Sequence, residues 1–303
     1  MNFSENINPI GRWLITVAGL FLAAGAILLP GEAHAVVNCA PLQVLGAVDT
    51  GADSDADGFT DFQECNGIST VGTNPVEFKW CGSTVNGVPP TRDRCLDPDS
   101  RDLFVILARA SASVFPEGFN AFLPVTFYGV NFTGLNALGL AVHQLNSDQA
   151  DLDRFVAPVA PLVTRPKAVR VSESLDANGT ILGNCQWGTP LGLDGCVIYT
   201  QRAQNFIAST CGSASIQTPA GAPSTLEQVV LAYSTYLVLH ESGHSLGGLT
   251  GDYNSRFGGY HYKPGAGLVM EQAVTYTVKG GKCTFYISPN WNVTLDPPQV
   301  RLQ

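Results

Sequence analysis

The sequence predicts an α/β or α+β fold in which a mixed, mostly parallel twisted sheet carries one long helix against a face. Three observations lead to this prediction. Short apolar or alternating segments between residues 102 and 200 have the length and composition of strands. One uninterrupted helical pattern covers residues 225–246. Residues 36–100 are instead rich in Gly, Pro, Asp and Cys without clear periodicity, which predicts a small loop-rich module before the sheet.

The strands of the sheet are predicted from runs of two kinds. Residues 102–107 form a continuous apolar run bounded by charged residues, as in a strand buried on both faces. Residues 168–172 alternate between apolar and polar, as in a strand with one face towards solvent. The other predicted strands cover residues 137–144, 195–200, 274–278 and 283–287. His143 lies in one of these apolar segments and is expected to be a core histidine.

The long helix has clear signals at both ends. Ser224 can cap its start, and Glu227 three residues later completes a capping box. Gly247 and Gly248 can end it, because glycine adopts the left-handed cap conformation at little cost. The pattern between these ends steps by four and three residues, which places one stripe on the face expected to meet the sheet: Leu226, Val230, Tyr233, Leu237, His240 and His244.

The last turn of this helix carries the motif HExxH over residues 240–244. Histidines at positions i and i+4 point the same way, so His240 and His244 can bind one zinc ion together. Zinc lowers the pKa of water that it binds, and Glu241 is placed to accept the proton as a general base. The motif therefore predicts a zinc hydrolase.

Around this motif the chain resembles the metzincin metallopeptidases, whose pattern is HExxHxxGxxH followed by a methionine turn below the metal. The chain reads HESGHSLG over residues 240–247, and Met270 in the sequence GLVM is similar to the methionine of that turn. Residues 101–105, RDLFV, also resemble the first strand of related bacterial domains. The resemblance implies a metzincin-like fold and an endopeptidase with a protein or peptide substrate.

The third zinc ligand departs from the family pattern. Thr250 occupies the position three residues after Gly247, and threonine is a poor zinc ligand. His261 lies nine residues before Met270, which is close to the interval of the family, and Asp252 is an alternative carboxylate ligand. The ligand preference of zinc and the interval to the methionine favour His261 over Asp252.

A second metal is predicted from residues 53–64, which fit the calcium-loop pattern D-x-D-x-D-G-x5-E without a mismatch. Gly58 allows the sharp turn that such a loop needs. The loop resembles those of thrombospondin type 3 repeats, and we expect it to hold a structural Ca²⁺. The predicted ligands are the carboxylates of Asp53, Asp55, Asp57, Asp61 and Glu64 and the backbone carbonyl of Phe59.

The N-terminus and the cysteines predict an exported protein. Residues 1–35 combine Arg12, an apolar run over residues 13–30 and the sequence AHA before a cleavage site, which is typical of a signal peptide of the bacterial type. The alternative is an uncleaved membrane anchor, because the apolar run is almost long enough to span a bilayer. All eight cysteines follow it, and an even number in an exported chain predicts disulfides. We expect the four before residue 100 to pair among themselves, and predict the pairs Cys185–Cys196 and Cys211–Cys283 in the second half.

These observations predict three regions: a signal peptide over residues 1–35, a calcium-binding Cys-rich module over 36–100 and a zinc peptidase-like domain over 101–303. The net charge of −9 argues against nucleic acid and anionic membranes as partners. We expect a monomer, secreted to the medium or the periplasm, without stable membrane association once the leader is removed. The alternative functions are a non-catalytic, calcium-dependent extracellular adhesion protein with a degenerate zinc site, and a zinc amidase or esterase.

Overall fold

The structure is a computed structural model with an α+β fold and four disulfides. It describes residues 36–84, 90, 94–149, 169–186, 195–246, 261, 268–271 and 273–291. Residues 36–303 group as one compact unit, and the predicted leader over residues 1–35 lies outside the described residues. Within the described ranges, no helix combines the length and the apolar character that a membrane crossing requires.

The N-terminal part is built around a short helix and a small sheet. Helix α1 (Asp61–Asn66) has Thr60 as its N-cap. The side chain of Thr60 accepts a hydrogen bond from the backbone N–H of Gln63 at 3.2 Å. The strands that follow are β1 (Ile68–Ser69), β2 (Glu77–Trp80) and β3 (Cys95–Leu96), paired in the order β1-β2-β3. The disulfides Cys39–Cys65 and Cys81–Cys95 close this part internally, as the sequence predicted.

The central sheet has five strands in the order β7-β4-β8-β10-β9. The first four are parallel to one another, and β9 is antiparallel to β10, so the predicted mixed, mostly parallel sheet is confirmed. Strand β4 lies between β7 and β8 and is buried over its first six residues, which explains its continuous apolar sequence. The strands are β4 (Asp102–Ala108), β7 (Ala141–Leu145), β8 (Val169–Ser174), β9 (Gly183–Gln186) and β10 (Gly195–Tyr199).

One predicted strand began too early. Residues 137–140 do not extend the strand at Ala141, because a 3-10 helix covers Leu135–Leu138 and Gly139 follows it with φ of +78°. That left-handed backbone conformation suits glycine and ends the helical turn. Two further strands, β5 (Val125–Phe127) and β6 (Val130–Phe132), form an antiparallel hairpin before it.

Helix α3 (Leu226–Ser245) is the predicted long helix, but its cap is shifted by one residue. Thr225 rather than Ser224 is the N-cap, and Gln228 rather than Glu227 completes the capping box. The helix packs against strands β8, β9 and β10 and against a second helix, α2 (Thr200–Cys211), which the sequence analysis did not predict. It is consequently buried on nearly every side, and not only along the predicted stripe: Val229, Ala232, Val238 and Leu239 are all fully buried.

The remaining strands hold the C-terminal part against α2. Strands β11 (Ser215–Ile216), β12 (Thr275–Lys279) and β13 (Lys282–Tyr286) pair in the order β11-β13-β12, and the last two match their predictions. The disulfide Cys211–Cys283 joins the end of α2 to β13, and Cys185–Cys196 joins β9 to β10; both pairs are confirmed.

The N-terminal part and the central sheet share a hydrophobic cluster. Phe59 and Phe78 from the first part pack against Phe104 of β4, with ring centroids 5.4 Å and 4.9 Å away from it. Ile106 and Leu145 of the sheet complete the same cluster. The two predicted regions therefore meet through buried apolar side chains, while the boundary near residue 100 stays a prediction.

Candidate metal centres

The first candidate centre lies at the C-terminal end of α3, where three imidazole rings converge. The Nε2 atom of His261 lies 3.1 Å from the Nε2 atoms of both His240 and His244. His261 has one Nε2 atom and can satisfy at most one of these contacts with an ordinary N–H···N hydrogen bond. Three nitrogen atoms this close to one another form a group that could hold a metal ion.

The backbone fixes the tautomer of the first histidine. Nδ1 of His240 lies 2.8 Å from the carbonyl oxygen of Val269, and because that oxygen can only accept, Nδ1 carries the hydrogen. Nε2 of His240 is then a lone-pair donor directed at the point shared with the other two rings. A hydrogen bond from the ring nitrogen that does not face the metal is the usual way in which proteins orient a metal-binding histidine.

The histidines are held in their neutral form. Burial, and to a smaller extent the neighbouring His244 ring, lower the pKa of His240 to about 3. Burial likewise lowers the pKa of His244 to about 4, with His261 as the second cause. Neutral imidazole is the form that binds zinc, so protons do not compete for these two nitrogen atoms near neutral pH.

A tight turn packs against the end of α3 that carries these rings. Residues 268–271 form the turn, and its Met270 is buried next to α3. A Cβ atom placed on Gly243 would lie 2.3 Å from Sδ of Met270 and 3.0 Å from the ring of Trp291. Glycine at position 243 is therefore required for the close approach between the helix and the turn, which places the carbonyl of Val269 against His240.

The turn is held in place by two side chains that the sequence analysis did not select. Glu271 is buried, and its Oε1 accepts hydrogen bonds from the backbone N–H of Leu268 at 2.8 Å and from Oγ of Ser288 at 2.9 Å. The hydroxyl of Tyr236 donates to the carbonyl oxygen of Glu271 at 2.7 Å and lies 3.3 Å from Nδ1 of His240. Tyr236 precedes His240 by one helical turn, and that spacing is the sole sequence signal for its position.

Glu241 is buried beside the three histidines in the same cleft. Burial raises the pKa of its carboxyl to about 8. Strand β9 passes directly over it: Sγ of Cys185 lies 3.0 Å from Oε2, and a Cβ atom on Gly183 would lie 2.1 Å from Oε1. Cys185 and Cys196 are joined in a disulfide, so neither sulfur atom is available as a metal ligand; Sγ of Cys196 lies 3.2 Å from the backbone carbonyl oxygen of Glu241.

The cleft that contains these groups has a volume of about 1330 Å³. Strand β9 forms one wall through Gly183, Asn184 and Cys185. The remaining wall near the histidines is largely apolar and aromatic, and is made by Phe206, Tyr233, Tyr236, Leu237, Val274 and Tyr276. The volume exceeds the range of about 300–1,000 Å³ that is usual for small-ligand pockets, so the cleft has room for a segment of extended chain.

The second candidate centre is the acidic loop before α1. Its carboxylates are oriented by backbone N–H groups of the loop itself: Asp53 accepts hydrogen bonds from Ala56 at 2.8 Å and Gly58 at 3.0 Å. The oxygens of Asp53, Asp55 and Asp57 form one group of possible metal ligands. A second group is formed by Asp57, Glu64 and Asp102; Asp102 is the first residue of β4 and is not part of the predicted loop.

Burial makes the charged form of these carboxylates costly without a cation. It raises the pKa of Asp55 to about 9 and that of Asp57 to about 8, and in Asp55 the neighbouring carboxylates add to the shift. The pKa of Glu64 rises to about 12, again mainly through burial. Neither oxygen of the fully buried Glu64 has a hydrogen-bond partner among the described residues. Bound calcium would reverse these shifts, because it favours the charged form.

Two of the predicted calcium ligands differ from the others. Asp61 belongs to neither of the two groups of possible metal ligands found among the described residues. Its oxygens accept hydrogen bonds from the backbone N–H and from Oγ of Ser54, both at 2.8 Å. Phe59 places its ring in the hydrophobic cluster, and its backbone N–H donates to Asp57 at 2.7 Å. Among the predicted carboxylate ligands, Asp53, Asp55 and Asp57 lie in one group, and Glu64 lies with Asp57 in the other.

The structure brings His240, Glu241, His244, His261 and Met270 into one region, as the sequence predicted. Asp252, the alternative third ligand, lies outside the described residues, as do Gly247 and Thr250. In comparisons with known proteins, no family model, no curated protein and no solved structure matches this chain.

Proposed function

We propose that this protein is a secreted, zinc-dependent endopeptidase. The observation that carries the proposal is the grouping of three imidazole rings in a cleft that also contains Glu241: Nε2 of His261 lies 3.1 Å from Nε2 of both His240 and His244. Three ligands from the protein leave one coordination position open, which distinguishes catalytic from structural zinc sites. The four disulfides fit an oxidising compartment outside the cytoplasm.

The donor set fits zinc. Two nitrogen ligands of a tetrahedral zinc ion, each about 2.0–2.1 Å from the metal, are about 3.3 Å apart. The two distances of 3.1 Å from His261 are close to that value. Imidazole nitrogen is also a common ligand of zinc, and His240 and His244 have low pKa values. When bound, zinc supplies Lewis acidity that polarises a substrate carbonyl and acidifies water.

Glu241 is assigned as the general base. Its carboxylate opens to the same cleft as the histidines, and burial makes it a stronger base than an exposed glutamate by raising its pKa to about 8. The Cys185–Cys196 disulfide restricts its position from one side. A fixed carboxylate of this kind does not have to reorganise during the reaction.

A peptide is the substrate that the cleft fits best. Strand β9 is the end of the five-stranded sheet within the described residues, and its Gly183, Asn184 and Cys185 line the cleft. An extended peptide can pair with such an edge through backbone hydrogen bonds. The aromatic wall formed around Tyr233 and Phe206 would bind an apolar side chain of that peptide. The acidic loop is assigned a structural Ca²⁺, because hard cations prefer several carboxylate oxygens.

The assignment is tested by replacing the general base in the purified protein. Glu241→Gln keeps the size of the side chain, and we expect zinc content to be unchanged while casein hydrolysis falls by about 10²–10⁴-fold. Glu227→Gln in the first turn of the same helix is the matched control, since Glu227 is exposed and remote from the cleft. Hydrolysis by Glu241→Gln at the rate of the control would refute the mechanism.

The same measurement separates the alternative functions. If the unmodified protein binds zinc but hydrolyses neither casein nor simple esters and amides, the adhesion hypothesis is favoured. If only esters or small amides are cleaved, the protein is an esterase or amidase with the same centre. Hydrolysis of casein that requires zinc supports the endopeptidase.

A further inference from the structure

The acidic loop was predicted as a self-contained calcium site, but its carboxylates converge on a residue outside it. Oxygens of Asp57 and Glu64 lie within 4.8 Å of an oxygen of Asp102, which begins strand β4, an inner strand of the five-stranded sheet. Asp102 follows the last loop residue by 38 positions, so no loop pattern includes it. All three residues are fully buried.

Glu64 provides an independent sign that a cation belongs between these groups. Its side chain is fully buried, and neither of its oxygens has a hydrogen-bond partner among the described residues. Oδ2 of Asp55 is also buried without a partner there. Burying a carboxylate without a partner is costly, and folded proteins avoid it except where an ion supplies the missing interaction.

The remaining contacts orient Asp102 for that role. Its backbone N–H donates to Oδ2 of Asp57 at 2.6 Å, which ties the start of β4 to the loop. One side-chain oxygen, Oδ1, lies 2.6 Å from Nε2 of His143 on the neighbouring strand β7, and the other, Oδ2, accepts a hydrogen bond from the backbone N–H of Asp97 at 3.1 Å. The His143 ring packs against Phe78 and Phe104, with centroids 5.2 Å and 4.7 Å away, so its direction is restricted.

We propose that Asp102 is a ligand of the calcium ion held by the acidic loop, so that this ion joins the N-terminal part of the chain to the central sheet. His143 is a positioning residue that orients the Asp102 carboxylate. The inference rests on the calcium loop of the proposed function and not on the peptidase activity. Calcium binding should therefore stabilise β4 itself, in addition to the loop.

The affinity of the purified protein for Ca²⁺, measured by calorimetric titration, tests the ligand directly. Asp102→Asn should weaken binding by about tenfold or more, as Glu64→Gln should, because calcium affinity depends on the number of charged ligands. Asp148→Asn is the control: Asp148 is exposed, and its recorded contacts are made by its backbone carbonyl. Unchanged affinity in Asp102→Asn alongside weakened affinity in Glu64→Gln would overturn the assignment of Asp102.

A second measurement needs no variant and remains decisive if Asp102→Asn does not fold. Amide hydrogen exchange of the unmodified protein is compared in Ca²⁺ and in a calcium chelator. The proposal predicts that calcium slows exchange over residues 103–106 of β4 as well as over the loop. Protection confined to residues 53–64 would overturn it, and absence of calcium binding would overturn the loop site too; zinc content and hydrolysis, measured separately, decide the peptidase proposal.

Discussion

Replacing Gly183 by alanine tests the proposed position of the general base without changing any ligand. Gly183 lies in strand β9 above Glu241, and its φ is outside the left-handed region, so the backbone itself accepts alanine. The added Cβ atom would lie 2.1 Å from Oε1, 2.7 Å from Cδ and 3.0 Å from Cγ of Glu241. The carboxylate must therefore move away from its present position.

The size of that movement sets the expected effect. An ordinary contact begins at 3.4 Å, so Oε1 has to retreat by about 1.3 Å if the strand stays in place. A displacement of about 1 Å in a catalytic group can reduce the rate about 10²-fold. We therefore expect kcat for peptide hydrolysis to fall by about 10²-fold, which corresponds to about 2.7 kcal/mol of transition-state stabilisation.

The matched control is Gly195→Ala in the adjacent strand β10. Gly195 pairs with Gln186 of β9, and the nearest heavy atom to an added Cβ there is the carbonyl oxygen of Arg170 at 4.0 Å. Both variants are assayed for kcat, zinc content and thermal unfolding. If folded, zinc-containing Gly183→Ala retains the kcat of Gly195→Ala, then Glu241 does not act from the position described.

Two further predictions concern the support of the zinc centre, and a third concerns the stability of the fold. Tyr236→Phe removes the hydroxyl that anchors the turn beside the first histidine, so zinc affinity in a chelator competition should fall about 10–100-fold; unchanged affinity would exclude that role. Gly243→Ala forces the helix away from Met270 and should lower the free energy of unfolding in urea by about 1–3 kcal/mol, whereas wild-type stability would mean looser packing. Replacing Cys211 and Cys283 by serine opens a disulfide with a sequence separation of 72, at a cost of about 4 kcal/mol in the same assay; a cost near zero would contradict the entropic account.

The parts of the site that could be predicted are those that local spacing determines. The positions of His240 and His244 follow from the helical repeat, because the two residues lie one turn apart on a strongly predicted helix. His261 was favoured through its interval to Met270, and the structure places it 3.1 Å from both other histidines. The cap of the helix was displaced by one residue since Ser224 and Thr225 are both good N-caps, and pattern alone does not choose between them.

The parts that were not predicted depend on contacts between residues far apart in the chain. Glu241 packs closely against Gly183 of β9, a residue 58 positions earlier, and nothing in the sequence of that strand predicts the contact. His143 was expected to be a core histidine and is indeed buried, but its contact with Asp102, 41 positions away, was not predicted. Helix α2 was also missed, because its buried positions are few and polar residues surround them.

The most direct test of the central claim is the zinc content of the purified protein, measured with casein hydrolysis for the unmodified chain, His261→Ala and Asp252→Ala. The account predicts one zinc per chain, lost together with hydrolysis in His261→Ala and retained in Asp252→Ala. Loss in Asp252→Ala alone would transfer the third ligand to that residue. Absence of zinc from the unmodified protein, even after incubation with the metal, would contradict the assignment as a zinc peptidase.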